Sequence, residues 1–496
     1  MSEKKEQFTS RWGMILAVIG IAVGTGNIWR FSRIVAQNGG GSFLIPWVIF
    51  LLIWSIPLII AEFAIGKATR KGTVGGLAML AGERFAWMGA FVGFVTTAIM
   101  FYYSVVAGWC MKYLTSSLSG SLLTTGDYIS LWESFTGGYE PILFHAIAMA
   151  IGGFVIYKGV VRGIERTNRI LIPSLLIILL TLAVRAVTLR GAMDGIAYLF
   201  TPNLEMLLDY KVWLAALTQN AWDTGAGWGL ILTYAIYARK KEDIALNAAL
   251  TGFGNNSVSL LAGITIFATV FALAPGEGIK ELISGRGSTN TGLAFIFLPQ
   301  LFGKMPGGTG LQTFFSSIFF LGLTFAAITS LISMIELSVR VFSDLGLERK
   351  RALWLTLTLG FLLGIPSALS LTFFENQDWV WGIGLMISGG FIAFAVIKHG
   401  ADKFRREAIN GEGSDVQVGK WYNVIITWLV PAQVFILIGW WFFLAITEFD
   451  REGWWNPFHT YSVGTCLLQW GVIMTFFVVI NRFMVRRIFQ RSTEVS

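Results

Sequence analysis

The chain has 496 residues, of which 55% are hydrophobic and 13% charged, and its mean hydropathy is +0.66. These values exclude an ordinary soluble domain, and 20 Trp with 40 Phe fit a protein whose aromatics sit at bilayer interfaces. The net charge of +8 does not indicate a nucleic-acid partner, because the basic residues occupy short connections between apolar runs. Cys110 and Cys466 lie in separate apolar segments, so no disulfide framework is expected. The opening MSEKKEQFTSRW is charged and lacks the apolar stretch of a cleavable signal peptide.

Runs of about 20 apolar residues, enough to cross the hydrocarbon, recur along the chain. About twelve spans are predicted, starting near Gly13, Ser42, Trp87, Pro141, Asn168, Val212, Ile244, Gln312, Leu353, Trp379, Asn423 and Ser462. One set of connections is basic, including Lys67, Arg70 and Lys71, then Lys158, Arg162, Arg166 and Arg169, then Arg239, Lys240 and Lys241, and later Arg349, Lys350 and Arg351. The alternate set is mainly acidic, including Asp127, Glu133 and Glu140, then Glu375 and Asp378, then Glu448, Asp450 and Glu452. The positive-inside rule places both termini in the cytoplasm, as an even number of spans requires. No connection is long enough for a separate domain. The expectation is one all-α membrane domain over residues 1–496.

The first span reads GIAVGTGNIWRF and the sixth QNAWDTGAGWGL. Each holds a G-x-G, with Gly24 and Gly26 in one and Gly225 and Gly227 in the other. Each Gly costs a helix interior about 1 kcal/mol relative to Ala. Close helix packing is the alternative, since Gly20-x-x-x-Gly24 is also a small-xxx-small motif. Two features favour true breaks. They open corresponding positions of two five-span halves, and Asn27, Arg30, Asp223 and Thr224 cluster beside them. Backbone freed in a bilayer must be satisfied. Lining a cavity does so, with carbonyls available to a cation and half-helix N-termini to an anion.

The chain resembles the neurotransmitter:sodium symporters. The residues that carry the resemblance are AVGTGNIWRF (22–31), NGGGSFLIPW (38–47), Glu62, the Tyr102–Tyr103 pair, GWGLILTYAIYARK (227–240), Asn255 and AAITSLIS (326–333). They cover both halves and most of the chain, and the bacterial amino-acid members are the most similar. The resemblance implies a leucine-transporter fold of 5+5 inverted repeats (11–190 and 210–400), with spans 1 and 6 unwound at mid-membrane and two further helices (420–490). It implies a cell inner-membrane location and a sodium-coupled symporter carrying a small solute, most simply an amino acid. The oligomeric state stays open.

Two sodium sites are implied. Sodium site 2 maps to Gly20, Val23, Ala326, Thr329 and Ser330. Ala326, Thr329 and Ser330 are spaced to share a helix face, and two hydroxyls with free carbonyls suit a hard cation, although such hydroxyls also bond back to their own helix. Sodium site 1 maps to Ala22, Asn27, Asp223 and Asn255. Most members carry Ser or Thr where Asp223 stands. The equivalent of the family's anion site maps to Trp47, Gln219, Asp223 and Ser259. Ser259 matches chloride-dependent members, but Trp47 replaces the Tyr that helps bind chloride. A carboxylate at this depth is costly unless paired. Asp223 is therefore expected to supply the negative charge beside sodium, making chloride unnecessary. Its competing role is to pair with a substrate amine, which leaves amines and betaines open as substrates.

By the same mapping, substrate contacts fall to Gly24, Thr25, Gly26, Ile99, Tyr103, Trp222, Gly225, Trp228, Ser330 and Met334. Arg30 and Asp378 are expected to form an outer gate, with snorkelling to the interface as the alternative. Lys5 and Asp344 are the expected inner pair, supported by Tyr237. Glu62 is expected to hold backbone amides of the broken helices. Glu336 lies about two turns from Thr329, and two roles are open: a proton or cation site, or contact with water in the cytoplasmic vestibule. No enzyme motif is present, and His145, His399 and His459 are scattered. A channel or a non-transporting membrane sensor remains the alternative from another class.

Overall fold

The computed structural model describes residues 6–276 and 293–493. Every described regular element is helical. Among the described residues, nine helices are long and apolar enough to cross a membrane, and counting each of two bent pairs as one span raises the number to eleven. The sixth expected span is divided between Tyr210–Asp223 and Leu230–Ala235, so neither half has the length of a span.

Local sequence explains many of the boundaries. The first span, Arg11–Ala22, is capped by Ser10, whose hydroxyl accepts from the Gly13 amide. The seventh, Ile244–Leu273, is capped in the same way by Asp243 and the tenth, Leu371–His399, by Ser370. These caps satisfy amides that a helix start leaves free. The tenth begins well before the Trp379 expected from hydropathy, because Ser370 starts the helix while Glu375 and Asp378 keep its first turns polar. The fifth begins earlier than Asn168, with a wide turn at Val160–Glu165 that runs into Arg166–Val187.

The third span, Glu83–Leu118, and the eighth, Thr309–Asp344, are largely enclosed, whereas the eleventh, Trp421–Phe449, is mostly exposed. Helices that are apolar all round are expected in both settings, since lipid is as apolar as a protein core. The segment after the tenth span is tied back to the bundle. Asp243 accepts from the amides of Asp415 and Val416, and Lys67 donates to the carbonyls of Glu242 and Glu412.

Both predicted breaks are present. The first-span helix stops at Ala22 and resumes at Trp29–Gln37 after a short 3-10 turn at Thr25–Asn27, with a bend of 68°. In the sixth span, Gly225, Gly227 and Gly229 all have left-handed backbone (φ 69°, 87° and 77°). Residues with a side chain pay about 1–2 kcal/mol there. Gly227 is constrained twice, because a Cβ would also lie 2.9 Å from the Gly389 Cα of the tenth span. Gly227→Ala should therefore destabilise the protein by at least about 2 kcal/mol, read as a lower melting temperature in detergent. Ala at the helical Gly439, where nothing lies within 4 Å of a Cβ, should leave it nearly unchanged.

Candidate functional site

The two breaks meet. At the first, the Asn27 side-chain oxygen accepts from the Gly24 amide at 2.7 Å, closing the turn on itself. At the second, Glu62 of the neighbouring span reaches in. It accepts from the Gly227 amide at 2.6 Å and the Leu232 amide at 3.1 Å. Glu62 thus satisfies backbone on both sides of the second half-helix start, where the helix dipole also favours a negative charge. Among the described residues it makes no hydrogen bond to the first break, so it serves one of the two broken helices.

Asp223 ends the first half of the sixth span and is 5% exposed. Its Oδ2 accepts from Ser259 at 3.0 Å and, at the limit of bonding distance, from Asn255 at 3.5 Å. Its Oδ1 has no protein partner and lies toward Gly26. Asn27 donates to both the Asn255 side chain, at 2.7 Å, and Ser259, at 2.8 Å. One amide atom of Asn255 sits 3.0 Å from the Ala22 carbonyl oxygen and 3.2 Å from that of Asp223. With the amide oxygen there, three oxygens converge with a single donor, Asn27, among them, an arrangement completed by a cation. With nitrogen there, the amide donates to both carbonyls instead. The four residues expected at sodium site 1 are thus in one cluster.

The anion-site group is only partly assembled. Ser259 contacts Asp223. The Gln219 amide lines the same cavity with both polar atoms unpartnered among the described residues. Trp47 does not reach Asp223. Its ring packs on Phe31 at 4.7 Å, its indole N–H has no partner among the described residues, and only its backbone carbonyl is used, by Asn220.

Of the residues expected at sodium site 2, Ser330 reaches across to the first span, donating to Val23 O at 3.3 Å and Ile21 O at 3.5 Å. Thr329 bonds back to Ala326 O at 3.0 Å. Gly20 abuts the side chain of Asn168 on the fifth span.

A cavity of about 130 Å³ lies between the breaks. Gly24, Thr25, Gly26, Ile99, Tyr103, Trp222, Gly225, Trp228, Ser330 and Met334 all line it. Gly24 is the closest approach, since a Cβ there would be 3.2 Å from both the Ser330 and Tyr103 hydroxyls. Tyr103 OH is shared with Thr25 at 3.4 Å. Trp228 is fixed by its carbonyl, which accepts from Thr96 at 2.6 Å, and by its indole, which donates to Ala221 O. Trp222 inserts its ring where a side chain at Gly382 would stand.

The outer-gate residues face one another across the cavity without pairing, and the inner pair falls partly outside the described residues. Arg30 and Asp378 line the same cavity but form no ion pair within 4.0 Å. The Arg30 guanidinium lies over the Trp222 ring, 4.2 Å from its centroid. A guanidinium stacks on an indole face without a carboxylate, so Trp222 takes it. On the cytoplasmic side, Lys5 lies outside the described residues. Asp344 accepts from the Gly72 amide and pairs with Arg340, one turn back on its own helix, at 3.0 Å. Tyr237 lies beside Arg340. Its hydroxyl donates to Glu336 at 2.6 Å.

Glu336 is fully buried and holds Arg349 in a two-pronged ion pair at 2.7 and 2.8 Å. Neither role expected for Glu336 included this pairing, which this structure shows with the carboxylate buried. The sequence offered Arg349 only as one of many inside charges. The N-terminal segment was also missed. Phe8 donates its amide to Tyr237 O and packs on Tyr234, and Glu165 accepts both the amide and hydroxyl of Thr9. The unusual acid in the basic run RGIERTNR was the available signal. Arg349→Ala should cost about 3 kcal/mol by stranding Glu336, and Glu336→Gln in the same chain should recover part of it. A double-mutant cycle by thermal denaturation checks this.

Paired breaks, convergent oxygens and an enclosed cavity between them define a helical membrane transporter that handles a cation with its solute. The comparisons agree. The sodium:neurotransmitter symporter family matches residues 5–128 and 136–490, and the chain belongs to that family. It is 34% identical over 454 residues to an uncharacterized sodium-dependent transporter of Methanocaldococcus jannaschii, covering 87% of this chain and 90% of the relative. It is 31% identical over 466 residues to the uncharacterized sodium-dependent transporter YhdH of Bacillus subtilis, covering 88% and 98%. The crystal structure of MhsT in complex with L-phenylalanine matches with a TM-score of 0.74 at 30% identity, covering 87% of this chain and 99% of that one. The chain is thus a multi-pass membrane transporter of a sodium-coupled family and not an enzyme.

Proposed function

We propose that this protein is a sodium-coupled symporter importing an amino acid by alternating access, with both termini cytoplasmic in a bacterial inner membrane. In this reading two sodium ions are carried, and Asp223 supplies the negative charge beside the first, so that chloride is not needed. The observation that carries it is the Asp223 carboxylate, held on one oxygen by Ser259 and Asn255 while the other has no protein partner. A buried carboxylate with a free oxygen is strongly disfavoured without a cation, and the carbonyls of Ala22 and Asp223 converge beside it. Gly24 lets the Ser330 and Tyr103 hydroxyls come close to the first break, where both can donate to a substrate carboxylate. MhsT, which shares the fold, was crystallised with L-phenylalanine.

Uptake by wild-type protein in liposomes should need sodium and should be unchanged when gluconate replaces chloride. Asp223→Ser should lose at least about tenfold of its chloride-free uptake, the equivalent of about 1.4 kcal/mol. Chloride-free uptake by Asp223→Ser equal to wild type, or a chloride requirement in wild type, would sink the assignment.

The free oxygen of Asp223 also favours a second reading, in which it pairs with a substrate amine and the solute is an amine or betaine. A thermal-shift screen of the purified protein against amino acids, amines and betaines, with and without sodium, separates the two. The expected outcome is stabilisation by an amino acid only when sodium is present, by about 2.7 kcal/mol at a hundredfold excess over Kd. Stabilisation by amines alone would favour the second reading.

A further inference from the structure

We propose that the turn between the fourth and fifth spans is a binding site for an anionic phospholipid. A cavity of about 560 Å³ opens there, far from the solute cavity, and is lined by Phe154, Lys158, Arg162, Arg166, Thr167 and Ile170 among others. The fourth span, Glu140–Tyr157, ends just before Lys158. The chain then reverses at Gly159 (φ 81°), so the four-residue spacing of Lys158, Arg162 and Arg166 brings three cations to one opening.

No carboxylate lines this cavity. None of the three cations forms an ion pair among the described residues. Of the nearby acids, one faces the N-terminal segment, and the other comes from that segment and bonds backbone of the turn beside Lys158. Glu165 holds Thr9 and Arg169, and Glu6 accepts from the Val160 amide. The Lys158 ammonium sits over the Phe154 ring at 4.2 Å, which does not neutralise it. Three like charges around one cavity repel each other, and an external anion removes that cost.

The ligand is amphiphilic because the cations border an apolar surface. Ile151, Phe154, Ile170 and Ile177 are all exposed along the two spans. A free phosphate uses only the charged end of this site, whereas a phospholipid uses both. Basic clusters at the cytoplasmic edge of spans attract anionic head groups at about 1 kcal/mol per cation. The leaflet rests on the orientation proposed above; the site itself does not, and the test below is independent of orientation.

The test is native mass spectrometry of the detergent-purified protein titrated with phosphatidylglycerol, phosphatidylcholine or inorganic phosphate. Phosphatidylglycerol should be retained in preference to phosphatidylcholine, and a large excess of phosphate should not displace it. The triple variant Lys158→Ala, Arg162→Ala, Arg166→Ala should bind phosphatidylglycerol about a hundredfold more weakly, at about fivefold per cation. The variant Arg162→Lys, Arg166→Lys should retain binding, which shows that charge and not folding is read. Equal retention of the two lipids, displacement by phosphate, or unchanged binding by the triple variant would overturn the proposal.

Discussion

The structure depends on one constraint: backbone opened inside a bilayer must find partners within the protein. At the sixth span this is met by a single carboxylate. Glu62 takes the amides of Gly227 and Leu232, so the second half-helix starts with its free N–H groups answered and its dipole opposed by charge. The left-handed glycines make the path possible, and Glu62 makes it affordable. At the first span the same need is met locally, by the Asn27 side chain on the Gly24 amide. Because donors are taken by side chains, carbonyls are what remain to face the interior, and a surplus of oxygen is what a small hard cation requires.

That surplus explains why Asp223 can be tolerated. Its surroundings are hydroxyl and amide groups from the seventh span, Ser259 and Asn255, and not a positive side chain in direct contact. In the function proposed above, the charge is left for a mobile partner. A fixed arginine at this position would have neutralised the site permanently, and the sodium dependence of the family would have no electrostatic basis here.

The sequence was most informative where a physical rule acts locally. Apolar run length located the spans, although polar first turns hid the true start of the tenth. The G-x-G pairs located both breaks, at the sixth span because Gly225 and Gly227 take positive φ, and at the first, where neither glycine does, because a Cβ at Gly24 would crowd the Ser330 and Tyr103 hydroxyls. Asp223 stood out because buried charge is expensive. Partner choice was not legible. Glu336 and Arg349 lie on consecutive spans, and nothing in the spacing says that both prongs of the guanidinium will be used. Arg30 had a carboxylate and an indole within the same cavity, and only the three-dimensional arrangement decides between them. The sequence offered only Lys5 of the N-terminal segment as a contact, yet Phe8 and Thr9 are anchored to the sixth and fifth spans.

The Glu336 knot joins three spans, but unequally. The eighth and ninth are held by a charged, two-pronged contact, while the sixth is held at this point through the hydroxyl of Tyr237 alone. A hydrogen bond to a charged group contributes about 1.5–3 kcal/mol, less than a stranded buried charge would cost. The cytoplasmic end of the sixth span therefore has a seam beside it. At the knot itself it is released by one phenol, while Arg70 and the Phe8 amide still hold the carbonyls of Ile236, Tyr237 and Ala238, and the buried carboxylate keeps its counter-ion.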